Sequence, residues 1–579
     1  MNEYIAALVD EFAQLGITYA VFSPGSRSTT MAMLFREHGA FETYMNIDER
    51  SAGFMALGIA KAHRKPVILV CTSGSAVAHY MPAVLEAQYS GVPLIILSAD
   101  RPHTLQHIGA PQTVDQQKIF GTAVNYYEEL AVPQQEHYYT YPRLVARKAY
   151  MKSMDVKRGP VHINVPLFEP LVPELDRKHF ECGRQPFSVV PAAIQPGDAR
   201  TIYDLLANKK VLILAGPSTN LEDTDAILGL SNIFHAPIVG DPLSNMRRVY
   251  DERVITSYDA LLSQEVYRDT LRPDCILQIG QMVVSKRVQQ WVASMQHIPI
   301  ISVGPTMDYT NPAGNTTLFV QSTPQGLVDA LKMQIPDLHA MENEEYVEGA
   351  DEDLDTAENG YLATWVHVDR VGRKQLDTVA REQELFEGYT IHLLQELLPE
   401  RSQIMVANSM SIRDMDYFWS GNRHSAIIYG NRGVNGIDGT VSTALGIATN
   451  GMPTVLLTGD LTFFHDLNGL AVAKTHPLNL TIIVHNNDGG GVFEYLPQKG
   501  TPHFDYLFST AQGLDYSGLA TLYGIDFVRV SSNDELKNAL QNYVGTAGVH
   551  VIEIPTSKER SRELHALYTT IPTNKEDRL

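Results

Sequence analysis

Gly459-Asp460 and Asn486-Asn487-Asp488-Gly489 each follow a short β-branched run, and Asn487 lies 27 positions after Asp460. In a parallel α/β sheet both turns fall at the carboxyl ends of strands, where such folds bind ligands. Asp460, the Asn487 amide oxygen and a main-chain carbonyl near Gly489 would supply three hard oxygen ligands. That leaves about three octahedral positions for phosphate oxygens and water, the arrangement Mg²⁺ prefers. The same residues also describe two ordinary turns rich in Asp, Asn and Gly. Nearer the amino terminus, Asn46-Ile-Asp-Glu-Arg50 precedes an apolar helix expected over Ser51–Ala62. Asp48 suits a helix cap, and Glu49 suits either a first-turn acid favoured by the helix dipole or a catalytic carboxylate. Ser23-Pro-Gly-Ser-Arg-Ser28 reads as a strand-to-helix turn able to hold an anion through Ser26 and Arg27, without the Lys and spacing of a P-loop.

The elements that must position these groups follow from the hydrophobic pattern. Short β-branched runs (Val67–Val70, Leu94–Leu97, Val211–Leu214, Cys275–Ile279, Ile300–Val303, Thr454–Leu457, Thr481–Val484) alternate with helix-length amphipathic segments. This is the pattern of parallel α/β domains. A Pro-containing passage from Pro166 to about Pro196 and an acidic stretch ending near Thr364 divide the chain. The expected domains are 1–180, 195–340 and 365–579, with 341–364 as an acidic linker.

The pentapeptide Ala56-Leu-Gly-Ile-Ala60 recurs as Ala444-Leu-Gly-Ile-Ala448. Each copy is followed, in the same order, by a proline (Pro66, Pro453), a β run and a Gly-containing turn. A helical stretch, a second proline (Pro93, Pro477) and another β run complete both series. A match in order over such a span indicates duplication. The first and third domains are therefore expected to share one fold, with a site built between them. The middle segment has strands ending in Gly216, Gly280 and Gly304 but no GxGxxG, so it reads as a structural, Rossmann-like domain.

With 579 residues, the chain is long enough for roughly three or four domains. At 44% hydrophobic and 19% charged residues, it is globular in composition. Forty-five Lys+Arg against 66 Asp+Glu give a net charge of −21, which argues against non-specific nucleic-acid binding. Nine acidic and no basic residues between Glu342 and Glu358 account for part of it, as a solvated linker would. An anionic substrate must then be held by locally gathered arginines. No apolar stretch is long enough to cross a membrane. The acidic amino-terminal residues do not suit a signal peptide, and three scattered cysteines fit a reducing cytoplasm.

Taken together, Gly459-Asp460…Asn486-Asn487 and Asp48-Glu49-Arg50 resemble the signature of thiamine diphosphate-dependent enzymes. Further passages are similar to one family within that superfamily. They are Ser23-Pro-Gly-Ser-Arg-Ser-Thr29, Asp48-Glu-Arg-Ser-Ala52, Ala99-Asp-Arg-Pro102, Gly109-Ala-Pro-Gln112, Ser285-Lys-Arg287, Asn408-Ser409…Arg413, Asn431-Arg-Gly433…Gly436-Ile-Asp-Gly439 and Gly459-Asp-Leu-Thr-Phe463. The family is that of the 2-succinyl-5-enolpyruvyl-6-hydroxy-3-cyclohexene-1-carboxylate synthases of menaquinone biosynthesis. The likeness spans essentially the whole chain. Leu461, where most of the superfamily has Gly-Asp-Gly, fits the narrower family.

The resemblance implies a transferase that decarboxylates 2-oxoglutarate and adds the resulting succinyl semialdehyde carbanion in 1,4 fashion to isochorismate. It implies thiamine diphosphate with Mg²⁺ or Mn²⁺ held by Asp460, Asn487 and Gly489. The cofactor contacts would come from Glu49, Ser409, Ile437, Gly459, Val492 and Phe493. Glu49, held protonated in an apolar pocket, would hydrogen-bond the pyrimidine ring, and Ile437 would wedge the cofactor into its bent form. Both substrates are dicarboxylic acids and need bidentate donors. Arg413, Arg432 and Ser409 are candidates for 2-oxoglutarate; Ser26, Arg27, Arg101, Gln112 and Lys286 are candidates for isochorismate. Arg101 could instead cap a turn, and Lys286 could be a surface charge. The implied assembly is a homodimer or homotetramer with active sites between subunits, without membrane insertion. A different carboligase, such as an acetolactate synthase relative, would need room for an uncharged acceptor and would not need this arginine set.

Overall fold

The computed structural model describes residues 2–133, 138–184, 199–218, 220–306, 308–334, 360–421 and 425–571. Among them, three six-stranded parallel sheets are arranged one after another along the chain. The first holds β1 (Tyr19–Phe22), β2 (Glu42–Met45), β3 (Val67–Cys71), β4 (Leu94–Asp100), β5 (Tyr126–Glu129) and β6 (Val161–Pro166). The second holds β7 (Val211–Ala215), β8 (Ile238–Gly240), β9 (Val254–Ile255), β10 (Cys275–Ile279), β11 (Ile300–Gly304) and β12 (Leu318–Gln321). The third holds β13 (Gln403–Val406), β14 (Ile427–Gly430), β15 (Thr454–Gly459), β16 (Leu480–Asn486), β17 (Asp526–Arg529) and β18 (Val549–Pro555).

The first sheet runs β2-β1-β3-β4-β6-β5 and the third β14-β13-β15-β16-β18-β17, which is one order written twice. The middle sheet runs β12-β11-β10-β7-β8-β9, the strand order of a Rossmann fold. Its order reverses between β7 and β10, where doubly wound sheets open a ligand crevice. Here a Cβ added to Gly216 would stand 1.6 Å from the Gln281 carbonyl oxygen, so main chain fills that crevice at its root.

The duplicated domains are packed on each other through their repeated helices. Helix Glu49–His63 is buried from Ser51 to Lys61 and lies against helix Thr440–Ile447, all of whose residues are buried. One continuous core joins Met55, Ile59 and Val84 to Leu445, Leu456 and Val484. A second core joins the middle and third domains, where Trp291 and Trp365 meet edge to face.

The expected acidic linker, 341–364, lies outside the described residues as far as 359, as does the end of the Pro-containing passage from 185. Residues 360–364 open the helix Gly360–Leu376, because Tyr361 donates to the Leu271 carbonyl at 2.8 Å and Trp365 is fully buried. No helix among the described residues is long and apolar enough to cross a membrane.

Candidate active site

β15 and β16 are neighbours in register, Gly459 opposite His485, so the turns after them lie side by side. Asp460 opens the helix Asp460–His465 and is 4% exposed; its carboxylate accepts from the Gly489 N–H at 2.8 Å. Burial pushes this carboxyl up to about 6, despite main-chain hydrogen bonds that oppose the shift. The Asn487 side-chain oxygen is buried and has no hydrogen-bond partner. A buried carboxylate next to an orphaned amide oxygen is the environment a hard cation would relieve. Among the described residues no group of three or more His, Cys, Asp or Glu side chains is placed to hold a metal ion by itself.

Gly489 has φ +139°, and a Cβ there would stand 2.0 Å from the Ser509 carbonyl, so only glycine fits this turn. The Lys558 ammonium braces it by donating to the Asp488 carbonyl at 2.9 Å and the Ser509 hydroxyl at 2.6 Å. Val492 and Phe493 lie just beyond, in the 3₁₀ segment Gly491–Tyr495, where Phe493 packs against Phe508 at 5.4 Å.

Across the same domain, Ser409 and Arg413 follow β13 and Arg432 follows β14. Ser409 holds φ +69°, a conformation costly for a non-glycine residue and found preferentially where structure serves a site. Arg413 donates to the Ser409 carbonyl. Arg432 donates at 2.8 Å to the side-chain oxygen of Asn408, whose amide nitrogen reaches the carbonyls of Asn431 and Gly436. Burial pulls the Arg432 guanidinium down; neighbouring Asp241 opposes this and the like charge of Arg413 adds to it. Half-buried Ile437 follows on this loop, its carbonyl accepting from Thr440.

A second arginine pair stands in the first domain. Arg27 is 6% exposed, donates to the Leu167 carbonyl at 3.1 Å and pairs with Glu169 at 3.5 Å; burial and neighbouring Arg101 pull its guanidinium down, opposed by Glu169 and Asp100. Exposed Ser26 is in the turn between β1 and helix Thr29–His38, as an anion-binding turn requires. Arg101 follows β4 and donates to the Pro111 carbonyl at 3.2 Å. Gln112, at φ +56°, is locked on Ser73 by reciprocal hydrogen bonds of 3.0 and 2.9 Å. Buried Gln116 supports this corner by accepting from the Gly74 N–H at 2.8 Å and donating to Asn164.

Glu49 is the first residue of its helix, with Asp48 as the cap accepting from the Ser51 N–H at 3.2 Å. It is half-buried and faces Cys71 and Tyr80, whose thiol and phenol are pushed up by burial and further by the Glu49 charge. Glu49 and Ile437 each stand seven positions before the alanine that opens their copy of the pentapeptide, so they occupy equivalent places in the duplicated frame. Lys286 is exposed at the start of helix Lys286–Ser294, while its neighbour Arg287 is engaged with Asp259 and Tyr417.

Three family models match the chain in order. They are the thiamine pyrophosphate enzyme N-terminal TPP binding domain over residues 3–119, the middle domain of thiamine pyrophosphate enzymes over 183–406, and the C-terminal TPP binding domain over 410–554. Curated proteins named 2-succinyl-5-enolpyruvyl-6-hydroxy-3-cyclohexene-1-carboxylate synthase match nearly end to end. One from Lactococcus lactis subsp. lactis is 48% identical over 98% of this chain and 99% of its own length. Another, from L. lactis subsp. cremoris, is 47% identical over the same shares, and that of Desulfitobacterium hafniense is 44% identical over 99% and 100%. The chain belongs to this synthase family of thiamine diphosphate enzymes. The resemblance read from the motifs thus holds at both levels, and an acetolactate synthase relative is not favoured.

The structure brings together Asp460, Asn487 and Gly489, then Arg413 with Arg432, and then Arg27 with Arg101. Asn408, Gln116 and Lys558 were not picked out by sequence pattern as site residues. Asn408 alone carries a local signal, standing beside Ser409 in the Asn408-Ser409…Arg413 motif; the partners of the other two come from segments distant in sequence.

Proposed function

We propose that the protein decarboxylates 2-oxoglutarate and joins the remaining four-carbon unit to isochorismate by 1,4-addition, as a synthase of menaquinone biosynthesis. What supports this reading is the near end-to-end match to synthases of that name, together with Arg27 and Arg101 following strands of the first domain and Arg413 and Arg432 following strands of the third. Both substrates are dicarboxylates, which arginines recognise through bidentate charge-assisted hydrogen bonds.

Bound thiamine diphosphate supplies the electron sink for CO₂ loss and carbon–carbon bond formation. Asp460, Asn487 and the Gly489 carbonyl would hold Mg²⁺ or Mn²⁺, which would neutralise the diphosphate charge. Glu49, with buried Cys71 and Tyr80 near it, would hydrogen-bond the pyrimidine ring. Ile437, Val492 and Phe493 shape the cofactor cleft, and Ser409 lines it. Arg413 and Arg432 orient 2-oxoglutarate, while Ser26, Arg27, Arg101, Gln112 and Lys286 receive isochorismate.

The working unit is a homodimer or homotetramer with sites between subunits. Three free cysteines, with Cys71 and Cys275 buried, suit the cytoplasm. Incubation with 2-oxoglutarate, isochorismate, thiamine diphosphate and Mg²⁺, followed by mass identification of the product, tests the reading. CO₂ release without an isochorismate adduct would refute it.

A further inference from the structure

Two opposite charges are buried where the first domain meets the third. Lys61, in the last turn of the Glu49 helix, is 4% exposed, and Glu86, on helix Met81–Ser90, is 1% exposed. They stand 3.6 Å apart. Both make their hydrogen bonds to a single loop of the other domain. Lys61 donates to the Gly430 carbonyl and the Asn431 side-chain oxygen, each at 2.8 Å. The two carboxylate oxygens of Glu86 accept from the Gly433 N–H at 3.0 Å and the Val434 N–H at 2.8 Å. A Cβ on Gly433 would stand 2.7 Å from the Glu86 carbonyl, so the loop is seated tightly on this helix.

A buried ion pair is a poor device for stability, since desolvating both charges costs about as much as their attraction returns. A pair that holds the backbone of Gly430, Gly433 and Val434 and the side chain of Asn431 acts instead on geometry. The fixed loop carries Arg432 and, three residues past Val434, Ile437. On its other side Asn408 takes the Asn431 and Gly436 carbonyls and the Arg432 side chain, which completes the clamp.

We propose that Lys61 and Glu86 are positioning residues that set Arg432 and Ile437 for catalysis, a role resting on the reading of Arg432 as a 2-oxoglutarate ligand. The helix that presents Glu49 at one end therefore also grips, at its other end, the loop of the third domain.

The test uses holoenzyme with wild type, Glu86→Gln, Lys61→Met, Lys61→Arg and Arg432→Ala measured together. Glu86→Gln turns one acceptor into a donor facing a backbone N–H, and should raise the KM for 2-oxoglutarate and lower kcat, each about tenfold. The KM for isochorismate should stay within about twofold. Lys61→Met should give the same signature and Lys61→Arg should restore part of it; these two carry the test if Glu86→Gln does not fold. Loss of thermal stability with wild-type KM and kcat for the folded fraction, or equal rises in both KM values, would overturn the proposal. If Arg432→Ala raises the KM for 2-oxoglutarate while the Lys61 and Glu86 variants do not, the positioning role alone falls. If Arg432→Ala changes nothing, the substrate reading of that arginine falls and takes the positioning role with it.

Discussion

Gly58 and Gly446, the central residues of the two pentapeptide copies, lie against each other where the repeated helices cross. A Cβ on Gly446 would come 3.0 Å from the Gly58 Cα, and one on Gly58 would come 3.1 Å from the Gly446 Cα. The nearest obstacles are backbone carbonyls: Thr443 at 2.1 Å from the first glycine's added carbon, and Met55 at 2.2 Å from the second's. Neither can swing aside as a side chain could. Gly58→Ala and Gly446→Ala should each destabilise the protein by about 1–3 kcal/mol, as chemical denaturation measures. Gly360→Ala, with nothing within 4 Å of its added carbon, is the control and should change stability little.

The strands legible as apolar runs, β3, β4, β7, β10, β11, β15 and β16, are all interior strands with a neighbour on each side. Strands covered on both faces must be apolar throughout. Edge strands such as β5 (Tyr-Tyr-Glu-Glu) and β17 (Asp-Phe-Val-Arg) are half-wet and leave no such trace. The same division holds at the site. Asp460, Asn487 and Glu49 announce themselves through local turn and helix-start chemistry. Lys61 reads locally as an ordinary last-turn cation, and Glu86 as an ordinary helix acid. Their meaning appears only when Gly430–Val434, more than 340 positions away, is folded onto them.

Asp460→Asn keeps the hydrogen bond from Gly489 but removes the charge, and Asn487→Ala removes the orphaned oxygen. Each should weaken thiamine diphosphate binding in the presence of Mg²⁺ by about 10- to 150-fold, the usual worth of a contact to a charged group. In the apoprotein, Asp460→Asn should not lower the thermal midpoint, because an ionised buried carboxylate without its cation is unfavourable. Normal cofactor titration in either variant would remove the metal assignment.

The arginine pairs make separable demands. Arg413→Ala should raise the KM for 2-oxoglutarate by about 10- to 150-fold, and Arg101→Ala should act mainly on isochorismate. Steady-state kinetics with one substrate varied at a time checks this. The same profile in both variants would void the division between the two domains.

His162 lies at the root of the network that supports Gln116 and Arg101. It contacts the Ser98 hydroxyl at 2.7 Å; Ser98 donates to Asn164, and Asn164 donates to Asp100. Burial pulls its imidazole down to about 3, so the folded protein keeps it neutral where the unfolded chain would protonate it. The unfolded state then binds the extra proton between pH about 6.5 and about 3, and stability falls as pH drops through that window by up to about 1.4 kcal/mol per unit. His162→Gln should flatten this part of the pH profile of the denaturation free energy. An equally steep profile in the variant would place the titration elsewhere.

Glu49→Gln separates a catalytic carboxyl from a helix-start acid. Gln has nearly the same size and can donate a hydrogen bond to the pyrimidine ring, but it cannot exchange a proton with it. Cofactor affinity should fall only modestly, since the Asp460–Asn487 anchor is untouched. Turnover should drop by about 10²–10⁴-fold, the range for losing a positioned acid or base. Exchange of the thiamine C2 proton on the protein should slow in parallel, because that step precedes either substrate. A purely structural acid at this position makes the opposite forecast: a stability change within about 0.5 kcal/mol and nearly normal chemistry. Deuterium exchange at C2, followed on wild type and Glu49→Gln at saturating Mg²⁺ and cofactor, decides between them. An unchanged exchange rate would leave Glu49 as the dipole-favoured first residue of a buried helix and nothing more.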